Sequence, residues 1–218
     1  MTAPPFKVCG ITRRTDAEAA VAAGAAYLGV VLAPGGRRTV SPDAAGGLLA
    51  GLGAVRVGVF VDEGADGLRR AAAAAGLDVL QLHGDEPPEL LRALRAEGRW
   101  TLWKALRPRS ADEFRAGVEA YAGVADAILL DGFSTEARGG TGTRFPWEEV
   151  AGYRDLLPTS LLLVVAGGLR ADNIARAVSL LRPGVVDVSS GVESSPGVKD
   201  PAEIRRFADA LRAPHQPG

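Results

Sequence analysis

One cysteine and two histidines in 218 residues are too few for most sites that depend on those side chains. A lone thiol cannot close an intramolecular disulfide, and with two imidazoles it cannot assemble the usual structural zinc sets. Net charge is nearly absent as well, because 25 Lys and Arg stand against 26 Asp and Glu, a formal balance of −1. That balance excludes the basic footprint of a nucleic-acid binder and the polybasic patch of a membrane-surface protein. The longest apolar run, LLLVVAGGL at 161–169, falls well short of the roughly 20 residues that cross a bilayer. The start MTAPPFK lacks a basic segment, a long apolar run and a small-residue cleavage site, so no secretory signal is read there. A reducing, cytoplasmic location is expected, and Cys9 then needs a reason other than a disulfide.

What is present is a regular alternation. Short β-branched or apolar runs occur at 6–9, 27–32, 55–61, 78–83, 99–106, 126–131, 161–165 and 185–190. Between them lie Ala/Leu/Arg-rich stretches of helical period, many opening with Ser, Thr, Asp or Pro as helix starts favour. The sixth unit is the weakest, with a Gly-rich loop at 139–142 and only a short helical candidate at 147–153. Strands that alternate with helices pair in parallel, since each helix carries the chain back before the next strand begins. Dividing 218 residues by eight gives about 27 per unit, enough for a strand, a helix and two short loops. An α/β fold in the form of a single-domain (β/α)8 TIM barrel is therefore favoured over an open doubly wound sheet. One domain is expected over 1–218, with disordered tails at 1–4 and 213–218.

A barrel of this kind carries its chemistry at the C-terminal ends of its strands. Cys9, Gln81 with His83, Asp131, and Asp187 with Ser189 close four different apolar runs and would converge on one mouth. Side chains alternate along a strand, so Lys7 and Cys9 share the inward face while Phe6 and Val8 point towards the helices. An ammonium below a thiol is expected to lower the thiol pKa and suit Cys9 to act as a base; the competing reading is a structural core cysteine. The same parity turns Leu129 and Asp131 inward. Apolar walls are expected to raise the Asp131 pKa and let it keep a proton for general-acid work, against the alternative of a loop or capping aspartate.

Two Gly/Ser clusters, AGGL at 166–169 and SSGVE at 189–193, follow the seventh and eighth runs. Barrels often bind phosphate there, which makes Gly167, Gly168, Ser189, Ser190 and Gly191 candidate phosphate ligands. Arg38 offers a planar fork for a carboxylate, or is a solvated loop charge. With Lys7, Gln81, His83 and Asp187 it is assigned to substrate binding, the alternative for His83 being a satisfied histidine at the mouth. The loop 133–142 has the composition of a mobile lid. No metal site is expected from one cysteine and two histidines, and the partner is a small phosphorylated molecule rather than nucleic acid or membrane, with the chain a monomer or homodimer.

These residues also carry a resemblance. KVCGIT at 7–12 with Asp16 and Ala17, GVFVDE at 58–63, LQLHGDE at 80–86, LLDGF at 129–133, GGTGTRFPW at 139–147, AGGLRADNI at 166–174 and VDVSSGVESSPGVKD at 186–200 closely resemble the phosphoribosylanthranilate isomerases of tryptophan biosynthesis. The resemblance implies a cofactor-free Amadori rearrangement of N-(5-phospho-β-D-ribosyl)anthranilate to 1-(2-carboxyphenylamino)-1-deoxyribulose 5-phosphate. It implies Cys9 as general base, Asp131 as general acid, Arg38 as the arginine that holds the anthranilate carboxylate, and the two glycine turns as the phosphate cradle. The chain departs from the family pattern at 32–37, LAPGGR, where an aromatic and a serine are usual. The alternatives are a related histidine-pathway isomerase, which would carry an aspartate at Cys9, and a catalytically silent phosphosugar-binding barrel.

Overall fold

A computed structural model describes residues 2–132 and 151–213. All eight expected strands form: β1 (Phe6–Cys9), β2 (Tyr27–Val31), β3 (Val55–Phe60), β4 (Val79–Leu82), β5 (Thr101–Leu106), β6 (Ala127–Leu130), β7 (Leu162–Val165) and β8 (Val185–Val188). They close in sequence order into a parallel barrel, sealed where Phe6, Lys7 and Val8 register with Val186, Asp187 and Val188. The helices α1 (Arg14–Ala22), α2 (Pro42–Leu49), α3 (Ala65–Ala75), α4 (Pro88–Ala96), α5 (Ala111–Tyr121), α6 (Ile174–Leu181) and α7 (Pro201–Arg212) surround it. Local chemistry starts several of them. Ser41 accepts from the Ala44 N–H ahead of Pro42, Ser110 from Glu113, and Asp200 from Ala202 ahead of Pro201, each cap contributing about 1 kcal/mol.

Strand alternation sorts the apolar side chains into two cores. Val57, Val79, Trp103, Ala105, Ala127, Leu129, Val164 and Val185 fill the barrel, with the Tyr27 and Trp103 rings 5.3 Å apart. The opposite parity, including Phe6, Val8, Leu80, Leu130 and Val186, faces the helices, and Phe6 meets Phe207 of α7 edge-on at 5.9 Å. The barrel is thus plugged by hydrocarbon, and polar inward residues have room only towards its C-terminal rim.

The sixth unit differs from the others. Ala151–Leu156 form a 3-10 turn, so the helical candidate at 147–153 is a tighter turn where it is described, and its first part lies outside the described residues. Tyr153 stacks on Phe114 of α5 at 4.8 Å, which covers the barrel flank there. The loop at 133–142, the motif at 139–147 and most of the C-terminal tail also lie outside the described residues. After β8 the chain makes a short 3-10 turn (Ser190–Val192) and an antiparallel hairpin, β9 (Glu193–Ser195) and β10 (Val198–Lys199), which sequence period does not reveal. No helix among the described residues is long and apolar enough to cross a membrane.

Candidate active site

Lys7 is fully buried inside the barrel. Its ammonium donates to Asp187 Oδ2 at 2.8 Å and to Gln81 Oε1 at 2.7 Å. Burial alone would pull this lysine down, but Asp187 and the neighbouring Cys9 outweigh it and leave the ammonium above its ordinary value. Cys9 follows at the end of β1, a buried free thiol. Here the expectation needs correcting: burial pushes the Cys9 thiol up, and Lys7, although it favours the thiolate by charge and hydrogen bond, does not cancel that while Asp187 adds to it. The ammonium's charge is shared with an aspartate that strand parity alone did not pair with it.

Room for the thiol comes from Gly29, its registered partner on β2. A Cβ there would stand 2.7 Å from Lys7 Cε and 3.0 Å from Cys9 Sγ. Gly29→Ala is therefore expected to destabilise the fold by about 1–3 kcal/mol through overpacking, and to lower turnover by roughly 10- to 100-fold by displacing the thiol. Chemical unfolding and steady-state rates on the same preparation test both.

Across the mouth, His83 and Asp131 each lie one residue beyond a strand, held by backbone bonds from His83 N to Phe60 O (2.8 Å) and Asp131 N to Leu106 O (3.1 Å). Gln81 Nε2 lies 2.8 Å from His83 Nδ1, and His83 Nε2 lies 3.1 Å from Asp131 Oδ2. Arg107, which the sequence reading missed, approaches the same oxygen at 3.5 Å. The direction expected for Asp131 is also reversed. Burial favours its neutral form, but His83 and Arg107 hold the carboxyl below the usual carboxylate range. Apolar walls were legible in the run AILL; the two cationic or donor neighbours, from other strands, were not.

Arg38 lies over Gly10 beside Cys9, where a side chain on Gly10 would come within 2.5 Å of Arg38 Cδ. It is not a free loop charge. Its guanidinium makes a forked pair with Glu193 of the β9 hairpin, at 2.8 and 2.7 Å, which raises its pKa mainly through that hydrogen bonding. Lys199, fully buried, reaches Glu193 Oε1 at 2.8 Å and the Ser189 carbonyl at 3.1 Å. Ser189 in turn donates to the Cys9 carbonyl at 3.1 Å. Glu193 and Lys199 had no signal beyond their place in the motif at 186–200. The loop before Arg38 is folded by Thr39, whose hydroxyl donates to the Ala33 carbonyl at 2.7 Å and accepts from the Gly36 N–H at 3.0 Å.

The two glycine turns adjoin each other and Asp131. A side chain on Gly191 would fall on the Leu169 carbonyl, and one on Gly167 on the Gly132 amide, 3.1 Å from Asp131 Oδ1. Gly167 and Gly168 both take positive φ, +88° and +65°. Asn173 ties the first turn from below, accepting from Arg170 N at 2.8 Å and donating to Gly168 O at 2.9 Å. Ser190 and Gly191 lie in the 3-10 turn above β8. Cys9, His83, Asp131, Arg38 and the two glycine turns therefore lie at the C-terminal end of the barrel, with Lys7, Gln81 and Asp187 buried in the strands beneath them. Among the described residues no cluster of His, Cys, Asp and Glu is arranged to hold a metal ion. A thiol, a carboxyl and two close backbone turns suit proton transfer on a small anionic ligand.

Residues 6–210 match the family model for N-(5'-phosphoribosyl)anthranilate (PRA) isomerase. The chain is 43% identical over 205 residues to the N-(5'-phosphoribosyl)anthranilate isomerase of Chromohalobacter salexigens, covering 92% of this chain and 90% of that protein. It is 43% identical over 218 residues to that of Pseudomonas aeruginosa, covering 98% and 97%. The solved phosphoribosyl anthranilate isomerase of Thermotoga maritima superposes with a TM-score of 0.83 at 35% identity, covering 95% of this chain and 98% of that one. A phosphoribosyl anthranilate isomerase in complex with reduced 1-(o-carboxyphenylamino)-1-deoxyribulose 5-phosphate superposes at 0.81 with 34% identity and the same coverage.

Proposed function

The chain belongs to the N-(5'-phosphoribosyl)anthranilate isomerase family of tryptophan biosynthesis, and from that premise we propose that Cys9 and Asp131 are the base and acid of its Amadori rearrangement. The observation that carries this reading is their placement at the ends of β1 and β6, joined across the barrel by Lys7, Gln81 and His83. Asp131 gives a proton to the furanose ring oxygen. The C1–O bond breaks, and the anthranilate nitrogen lone pair forms the Schiff base. Cys9 thiolate takes the proton from C2, and the enolamine electrons settle as C1 gains a proton and the C2 hydroxyl loses one, leaving the ketone. No electron leaves or enters, so neither redox cofactor nor water is consumed.

Binding follows from the same geometry. The turns at Gly167–Gly168 and Ser189–Gly191 receive the 5-phosphate, in keeping with the ribulose 5-phosphate analogue bound by the solved relative. Arg38 receives the anthranilate carboxylate in partial exchange for Glu193. The substrate's negative charges repel the Asp131 carboxylate and compete for Arg107, which moves Asp131 towards the protonated form that the reaction requires. The location that fits such a biosynthetic step is the cytoplasm.

In the free protein the base lies above the ordinary thiol value of about 8.5 and the acid below the usual carboxylate value of about 3.9. The active species, thiolate with protonated carboxyl, is then a constant minor fraction between the two values. It falls below the lower one as the thiolate is lost, and above the higher one as the carboxyl proton is lost. kcat/KM should stay flat across neutral pH, with the acid limb set by Asp131 and the alkaline limb by Cys9. The substrate, made in situ from anthranilate and phosphoribosyl pyrophosphate by its transferase, is followed by loss of anthranilate-type fluorescence. Rapid alkylation of Cys9 at neutral pH, or an alkaline limb unaltered when Cys9 is replaced by aspartate, would remove this assignment.

A further inference from the structure

A chain of side chains, buried at Asp187, Lys7 and Gln81 and half-buried at His83 and Asp131, runs through the barrel from Asp187 on β8 to Lys7 on β1, Gln81 on β4, His83 beyond it and Asp131 beyond β6, with links of 2.8, 2.7, 2.8 and 3.1 Å. We propose that this chain has one allowed polarity, set by Lys7, and that Gln81 and His83 are positioning residues that hold Asp131 in the orientation its acid role needs; the inference rests on that role.

An ammonium has only donors. Lys7 must therefore meet the oxygen of the Gln81 amide, which turns the amide NH2 towards His83. Nδ1 of His83 then accepts, so the ring carries its proton on Nε2 and donates it to Asp131. Reversing any link reverses the rest: a proton on Nδ1 would face the NH2 of Gln81, and a turned Gln81 would present that NH2 to the ammonium. The Q-x-H spacing serves this arrangement, since residues two apart on β4 share the inward face. The charged groups that face His83 are Asp131, which it contacts, and Asp187; Arg107 and Lys7 reach its neighbours Asp131 and Gln81. Donor hydrogen bonds to a charged group are worth about 1.5–3 kcal/mol, so losing this one should slow turnover roughly 10- to 150-fold.

The test begins without substrate. Nitrogen-15 spectra of the full chain, with His83 identified by its loss in His83→Gln, should show an acceptor-type Nδ1 and a protonated Nε2 at neutral pH. Gln81→Glu keeps an acceptor for Lys7 but offers none of the donors that Nδ1 needs, so Nδ1 should become protonated and kcat should fall with KM little changed. His83→Ala should lose kcat to a similar degree, and His83→Gln, which restores an N–H at the distance of Nε2, should recover part of it. A protonated Nδ1 in the unmodified protein, or an unchanged ring in Gln81→Glu, would overturn the polarity. If Asp131→Asn turns over normally while the spectra are as stated, the polarity stands and the acid assignment falls instead. Should Gln81→Glu fail to fold, the spectra of the unmodified protein decide the polarity and the recovery of kcat from His83→Ala to His83→Gln decides the positioning role.

Discussion

Cys9→Ala and Asp131→Asn are each expected to lower kcat by about 100- to 10,000-fold, the usual contribution of a positioned acid or base, with little change in the circular dichroism of the barrel. The two losses should not multiply. Once the base is gone, the Schiff base formed by the acid has no committed route forward, and removing the acid as well costs less than it did alone. Cys9→Ser gives a further check, because a hydroxyl fills the same space yet is a far poorer base. Near-normal turnover in both single variants would mean that the chemistry uses other groups. In that event Lys7 and His83 would be the next residues to vary, because they are the titratable neighbours of the thiol and the carboxyl.

The second large effect concerns stability. Lys104 on β5 donates to Glu86 Oε2 at 3.0 Å and to the Gly84 carbonyl at 2.6 Å, with side chains only 3% and 1% exposed. Glu86 also accepts from the backbone N–H groups of Asp62 and Gly84 at 3.0 Å. Lys104→Met leaves that carboxylate buried without its cation, and a loss of about 3–5 kcal/mol is expected, roughly 6–20 °C in Tm for a chain of this size. Burial works to raise the Glu86 pKa, but Lys104 and the two backbone donors hold it below the usual carboxylate range. A folded value below the unfolded one, about 4.3, means that the contribution is whole above that pH. It drains away as the pH falls through the folded value. Glu86→Gln should therefore flatten the acid side of the stability curve. Equal acid sensitivity in the variant and the parent would show that other carboxyls dominate.

Strand period and length carried most of the architecture, because each apolar run of the sequence is a strand buried on both faces and nothing else in the chain competes for the inside of the barrel. The inward parity of Lys7, Cys9, Gln81, Asp131 and Asp187 followed from the same alternation. What period cannot supply is the identity of neighbours from distant strands. The Cys9 direction is set by burial, which Lys7 does not cancel while Asp187 shares its charge, and the Asp131 direction by His83 and Arg107, which outweigh the burial of the carboxyl. Arg38 and Glu193 are 155 residues apart, and no local pattern joins them. Lys104 and Lys199 were invisible as core residues because lysine is ordinarily a surface side chain. The 3-10 turn at 151–156 has no local signature of its own, as its residues are equally compatible with a helix.

The pair of Lys7 and Asp187 joins positions 180 residues apart, at the seam where the first strand meets the last. In the order of synthesis the thiol and its lysine on β1 precede β8 and the Glu193–Lys199 hairpin, so their surroundings are complete only when those elements have left the ribosome. A nascent barrel therefore carries its base in an unfinished pocket until its last strand has been made. Activity begins with barrel closure, so onset of turnover after refolding is a direct clock for the contacts that join the first strand to the last.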